Sequence, residues 1–213
     1  MTTAPHTPLL DSEYVGEGGR VAPGLRPPSV GQSARPGRIV WHYLLVIVSV
    51  HAFSALAFMP WLFSWTGVVL LIAGIYFFGG LGINLCYHRL LAHRSFSCPP
   101  WLEKTFVMIA LCCMQDAPAR WVAAHRIHHN HADEEPDPHS PLVSFLWSHV
   151  GWMLVDRHGL NKISNYERYV RDLLRQPFYL NLERKLVPTV IYFGHGVVYF
   201  AAGFIAGYAL TSD

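Results

Sequence analysis

The sequence predicts an all-α, multi-pass membrane protein whose apolar helices carry a cytoplasmic helical cap with histidine boxes. Three observations carry that prediction. Of the 213 residues, 52% are hydrophobic and only 14% charged, whereas soluble domains average about 25% charged residues. Two long runs, Ile39 to His88 and Leu186 to Ser212, contain no Asp, Glu, Lys or Arg. Every basic residue lies in an N-terminal arm or in one long middle segment. This composition excludes a disordered or collagen-like chain. The four cysteines, Cys86, Cys98, Cys112 and Cys113, lack CxxC spacing and read as buried thiols, not a disulfide framework. A net charge of +2 without a basic, aromatic-laced stripe excludes nucleic acid as a partner.

Residues 1–37 are rich in Pro, Gly, Ser and Thr, show no hydrophobic periodicity and lack the apolar core of a signal peptide, so they predict a disordered arm. A membrane domain occupies 38–213. Its first uncharged run is long enough for two spans of about 20 residues each. Pro60 and the polar-aromatic stretch around Trp61, Ser64 and Trp65 divide it into spans at about 41–59 and 67–85, a hairpin with tryptophans at mouth and tip. The histidine-bearing segment 86–185 follows. Within it, Trp101–Met114 is apolar but too short to cross, which predicts an interfacial helix. Tyr166–Lys185 has helical spacing interrupted at Pro177. A third span is expected at about 186–210, with Pro188 tolerated in its first turn.

Four basic residues lie at or before Arg38 and twelve between Arg89 and Lys185, with none in the hairpin tip or after the third span. The positive-inside rule then places the N-terminus and the histidine segment in the cytoplasm.

Histidine carries the chemistry. His88 and His93 sit where the second span ends; His125, His128 and His129 follow Trp121. On an α-helix, positions i, i+3 and i+4 fall on one third of the circumference, so the second cluster can present three imidazoles to one point. His88 and His93, five apart, diverge on a regular helix and approach one metal only from a helix end. A single histidine at a membrane face is ordinarily interfacial. Five within 42 residues, in two clusters on one side, point to a metal site, and all-nitrogen donors suit Fe, Zn, Cu or Ni. Asp137 and His139 are candidates to orient the ligand imidazoles. The acidic run Asp133–Asp137 reads equally well as a solvated loop. His51 and His195 lie inside spans, where each could bond a neighbouring backbone group; His42, His131, His149 and His158 read as surface or supporting residues.

His88-x4-His93, then His125-x2-His128-His129, Asp137-Pro138-His139 and Ser148-His149-Val150-Gly151-Trp152 resemble the membrane fatty acid desaturase family, within it the stearoyl-CoA/delta-9 branch. Tyr87 and Gln115-Asp116 fit as well, and the similarity runs from Arg38 to Asp213. The resemblance implies a di-iron centre held by His88, His93, His125, His128 and His129. It implies dioxygen as co-substrate, a cis double bond placed in a CoA- or lipid-linked acyl chain, membrane lipid as surroundings, and a small cytochrome or ferredoxin as electron donor. A hydrocarbon offers no acidic proton, so a metal must carry the hard step.

Two departures shape the expectation. The family has a third box of the H-x-x-H-H kind and ligands on a fourth span; neither occurs in this sequence, which reads as the first two-thirds of a desaturase with an incomplete site and little activity. Animal acyl-CoA enzymes of the branch carry an Arg-Asp pair before the second box, where this chain has Ala123-Ala124, and two basic residues after Gly-Trp, where it has Asp156-Arg157. That favours a lipid-linked chain over CoA in the same pose. The alternatives are a sister di-iron hydroxylase of lipids or alkyl chains, or a truncated homologue without activity. A zinc hydrolase is disfavoured because neither cluster is H-E-x-x-H.

Overall fold

A computed structural model describes residues 15–16, 20–21, 37–132, 134, 137–156, 162–184 and 186–211. Most of the arm 1–37, and with it the expectation of disorder, lies outside them. So do His158 and part of the acidic run 133–137. Within the arm, β1 (Val15–Gly16) and β2 (Arg20–Val21) pair antiparallel. The short strand β3 (Arg38–Ile39) precedes the first long helix.

Helix α1 (Trp41–Ala55) contains neither Gly nor Pro and passes into a short turn at 56–58, just before Pro60. Two of its polar side chains are satisfied within the helix, as a lipid environment demands: His51 Nδ1 lies 2.8 Å from the Ile47 carbonyl, and Ser54 Oγ donates to the Val50 carbonyl at 2.8 Å. After a second turn at 60–62, Ser64 caps α2 (Trp65–Gly74) by accepting the Gly67 N–H at 3.0 Å.

Helix α2 runs without a break into a π-helix, Ile75–Ala92, with i→i+5 backbone bonds. The predicted second span stops near Leu85, but the helix continues to Ala92. Its last turns are held by packing: Cys86, Tyr87, Leu90 and Leu91 are all buried. Helix α3 (Pro100–Leu111), the expected short helix, buries Val107, Ala110 and Leu111 against this π-helix. Gly82 permits the contact, since a Cβ there would lie 2.7 Å from the Ala110 Cα.

Helix α4 (Pro118–Asn130) carries the second histidine cluster. Proline at its first position lacks the N–H that would be orphaned there, and the next N–H, of Ala119, donates to the Glu183 carboxylate at 2.8 Å. A π-helical turn (Trp147–Gly151) leads into α5 (Trp152–Leu154) and β4 (Val155–Asp156). Strand β4 pairs antiparallel with β3, and the Val40 N–H donates to the Leu154 carbonyl at 2.8 Å. The start of α1 is thereby tied to the histidine-bearing segment. The helical pattern of 166–185 resolves into α6 (Ile163–Tyr166), α7 (Arg171–Leu174) and α8 (Pro177–Leu182), with Pro177 opening a helix instead of merely interrupting one. Helix α9 (Val187–Thr211) closes the described chain.

Three helices among the described residues are long and apolar enough to cross a membrane: Trp41–Phe58, Trp65–Ala92 and Val187–Ile205. The first and last contribute nothing to the buried core. That core lies at the foot of the π-helix, where Tyr87 and Leu91 meet Val107, Leu111, Val122, Tyr166, Val170 and Tyr179. All four cysteines are free thiols; only Cys86 is fully buried.

Glu183 links the core to α4. Burial raises its pKa above the ordinary carboxylate value, offset in part by hydrogen bonds from Tyr166 and the Ala119 N–H. A raised folded-state pKa means the folded form holds its proton longer than the unfolded chain, so the ionisation penalty grows as pH rises through that interval. Glu183→Gln removes the ionisation while keeping an acceptor. Its melting midpoint relative to the parent protein is expected to climb between acidic and neutral pH. A pH-independent difference would contradict this account.

Candidate metal centre

The π-helix explains how His88 and His93 come together. With i→i+5 bonding, residue i+5 sits directly above residue i, as i+4 does in an α-helix. The His93 N–H donates to the His88 carbonyl at 3.0 Å, and the two Nε2 atoms lie 2.9 Å apart. The pair meets at a helix end, as the spacing requires: His88 lies in the last turn of the π-helix and His93 is the residue that caps it, and the wider coil lets a five-residue spacing share a face.

Helix α4 presents its histidines differently from the expected single point. At 100° per residue, His128 and His129 flank His125 on opposite sides and stand about 100° apart. His125 and His129 join the first cluster, and His125 Nε2 lies 3.1 Å from His93 Nε2. The donor atoms of His88, His93, His125 and His129 all fall within 4.8 Å of one another. Their rings meet edge to face, with centroids 4.5–5.1 Å apart. Nitrogens converge while ring faces do not stack, the arrangement imidazoles take around an ion. Trp121, one helical turn before His125, stacks on its ring at 5.0 Å.

His128 turns instead toward Asp137 and His139, and these three form a second group of donors within 4.8 Å of one another. Asp137 is fully buried, with Oδ2 2.9 Å from His128 Nδ1 and Oδ1 accepting the His139 N–H at 3.0 Å. A carboxylate at Nδ1 holds the proton there and leaves Nε2 with its lone pair free.

The electrostatics favour the neutral form of His93, His125 and His139. Burial, with the neighbouring His129, His88, His93 and His128, pushes the His125 pKa down to about 3. Burial with His88, His129 and Arg126 lowers that of His93, and burial with His128 lowers that of His139. Neutral imidazole is the ligating form, so the donor set fits a transition metal such as iron.

The remaining histidines are elsewhere. His131 lies 3.3 Å from Glu134, His149 stacks on Phe145, and His42 packs beside Tyr43. His195 sits within α9 against Phe78 and Tyr199, with no hydrogen-bond partner for its ring nitrogens. Sequence reasoning missed three supports. Trp121 was legible as the residue four before His125. Arg126 stands inside the second cluster but gives no sign of its targets. The third is a half-buried polar group in which the Tyr43 hydroxyl donates to Asp116 Oδ2 at 2.7 Å and receives a bond from Arg120; Asp116 adopts φ 79.

A family model described as fatty acid desaturase matches residues 59–212. The chain is 36% identical over 171 residues to a protein named sn-1 stearoyl-lipid 9-desaturase from Anabaena variabilis, covering 80% of this chain and 61% of that protein. It is 42% identical over 140 residues to the sn-2 palmitoyl-lipid 9-desaturase of Nostoc sp. (strain 36), covering 65% and 49%. It is 39% identical over 151 residues to the Delta-9 acyl-lipid desaturase 1 of Arabidopsis thaliana, covering 71% and 48%. The chain thus spans about half to three-fifths of the length of these relatives. Both histidine clusters fall inside the matched region, and on that match the chain belongs to the fatty acid desaturase family.

Proposed function

We propose that this chain carries iron-binding histidines of an acyl-lipid 9-desaturase, an oxidoreductase that places a cis double bond in a fatty acyl chain. The observation that carries the reading is the convergence of His88 and His93 with His125 and His129 at the foot of an apolar helix. These four would hold one iron, and His128, oriented by Asp137 with His139 beside it, would contribute to a second. Iron supplies the activation of dioxygen and the removal of hydrogen from an unactivated carbon. In the net reaction two hydrogens leave adjacent carbons, and dioxygen, with two electrons and two protons, becomes two waters.

The protein's own residues prepare that chemistry. Asp137 fixes the His128 tautomer, Trp121 covers one face of His125, and lowered imidazole pKa values keep His93 and His125 unprotonated. The distribution of basic residues supports an N-terminus and histidine boxes facing the cytoplasm. There a small cytochrome or ferredoxin could deliver electrons, while the acyl chain stays among the apolar helices and membrane lipid. A lipid-linked substrate is favoured over CoA. Ala123 and Ala124 are buried, so neither offers a group to a polyphosphate, and the three relatives above are named for lipid-linked substrates.

The test is lipid analysis of a host without its own desaturase, expressing the protein, together with metal analysis of the purified chain. Iron bound to the purified chain is expected, and any acyl product is expected to carry a cis double bond at carbon 9. Hydroxylated acyl chains, or zinc in place of iron in active protein, would overturn the assignment.

A further inference from the structure

Arg126 lies between His125 and His128 in sequence, yet its guanidinium bonds none of the histidines. All five of its N–H groups are engaged elsewhere. Nε donates to the Ala92 carbonyl at 3.3 Å, and Nη2 donates to the Leu91 carbonyl at 2.7 Å and to Asp172 Oδ2 at 3.1 Å. Nη1 donates to the Tyr169 carbonyl at 2.7 Å and to Asp172 Oδ1 at 2.9 Å. The first two carbonyls belong to the final turn of the π-helix, where helix ends leave acceptors unpaired, and the following residue is His93. Asp172 is also ion-paired with Arg94, the residue after His93, whose backbone takes φ 51.

One planar group therefore spans the helix of the second histidine cluster, the end of the helix bearing the first, and α7. Resting on the metal-site reading above, we propose that Arg126 is a positioning residue. It sets the separation and mutual orientation of the two clusters so that His93 meets His125 and His129 around one ion. Asp172, shared with Arg94, offsets part of its charge and fixes the plane of the guanidinium. A lysine, with three donors and no fixed plane, does not reproduce this five-way link.

The test uses cobalt(II), whose visible absorption reports coordination geometry, titrated into the purified full chain in detergent. Arg126→Lys is expected to weaken cobalt binding about tenfold or more, the scale set by groups that orient metal ligands, and to alter the visible bands of the bound ion. Tyr179→Phe, which removes a buried hydroxyl bonded to Glu103, is expected to lower the melting midpoint while leaving affinity and spectrum unchanged. Should Arg126→Lys fail to accumulate, Asp172→Asn provides the second reading. It keeps the carbonyl bonds but loosens the guanidinium, and a spectral change is again expected. Unchanged affinity and spectrum in whichever variant is measured would overturn the role of Arg126 while leaving the metal site standing. A parent chain that binds no cobalt would instead remove the metal-site reading, and this inference with it.

Discussion

Replacing His93 with alanine is expected to strip the metal from the protein while leaving the fold intact. His93 is the hinge of the four-imidazole group: its Nε2 lies 2.9 Å from that of His88 and 3.1 Å from that of His125, and its ring borders His129 at 4.7 Å. Removing it deletes one candidate ligand and the imidazole that stands between His88 and both His125 and His129. Metal affinity should therefore fall by more than the roughly 10–100-fold that follows loss of a group supporting a ligand. The side chain is exposed, so no cavity forms, and surface substitutions of this kind shift stability within about 0.5 kcal/mol. Bound iron per chain and a thermal melt of the metal-free protein measure the two halves of the expectation. A variant with the parent's iron content would remove His93 from the ligand set.

The second large effect is structural. A methyl group added at Gly82 would lie 2.7 Å from the Ala110 Cα and 2.8 Å from the Ala110 nitrogen. Both are backbone atoms, so no side chain can swing aside and α3 itself must retreat. Overpacking of this sort costs about 1–3 kcal/mol, and Gly82→Leu should dislodge α3 from the π-helix. Gly79 and Gly80, in the same helix, would meet nothing within 4 Å. Alanine at either should be neutral or stabilising by up to about 1 kcal/mol, because glycine in a helix carries the larger entropic cost. Melting midpoints of the three alanine variants in one detergent check the contrast. Equal behaviour at all three positions would mean that the approach of α3 to the π-helix does not bear on stability.

Much of this architecture was legible because charge and hydrophobicity are read position by position. The uncharged runs locate α1, the start of α2 and α9 to within a few residues, and the clustering of histidines marks the candidate metal site before any contact is seen. What escaped depends on backbone geometry or on distant partners. The bond that seals His88 to His93 requires i→i+5 pairing, and nothing in the local residues separates that from ordinary helix. His128 leaves the other histidines because a buried carboxylate nine residues on claims its Nδ1; residue types alone flag Asp137 and His139, but not that they draw His128 aside. Glu183 reaching Ala119 and Arg126 reaching Leu91 join residues 64 and 35 positions apart, a range at which periodicity carries no information.

The π-helical stretch also bears on how helical metal motifs are counted. Ligand spacing reflects the pitch of the coil that displays it: three intervening residues on an α-helix and four on this wider one bring side chains to the same relative place. Deleting one residue between His88 and His93 would keep both ligands and their order, yet it would restore a shared face only if the coil tightened to α-helical pitch along with it. A survey admitting only three- and four-residue repeats on helices would pass over this pair, whereas one that lets the repeat vary with the coil would find it.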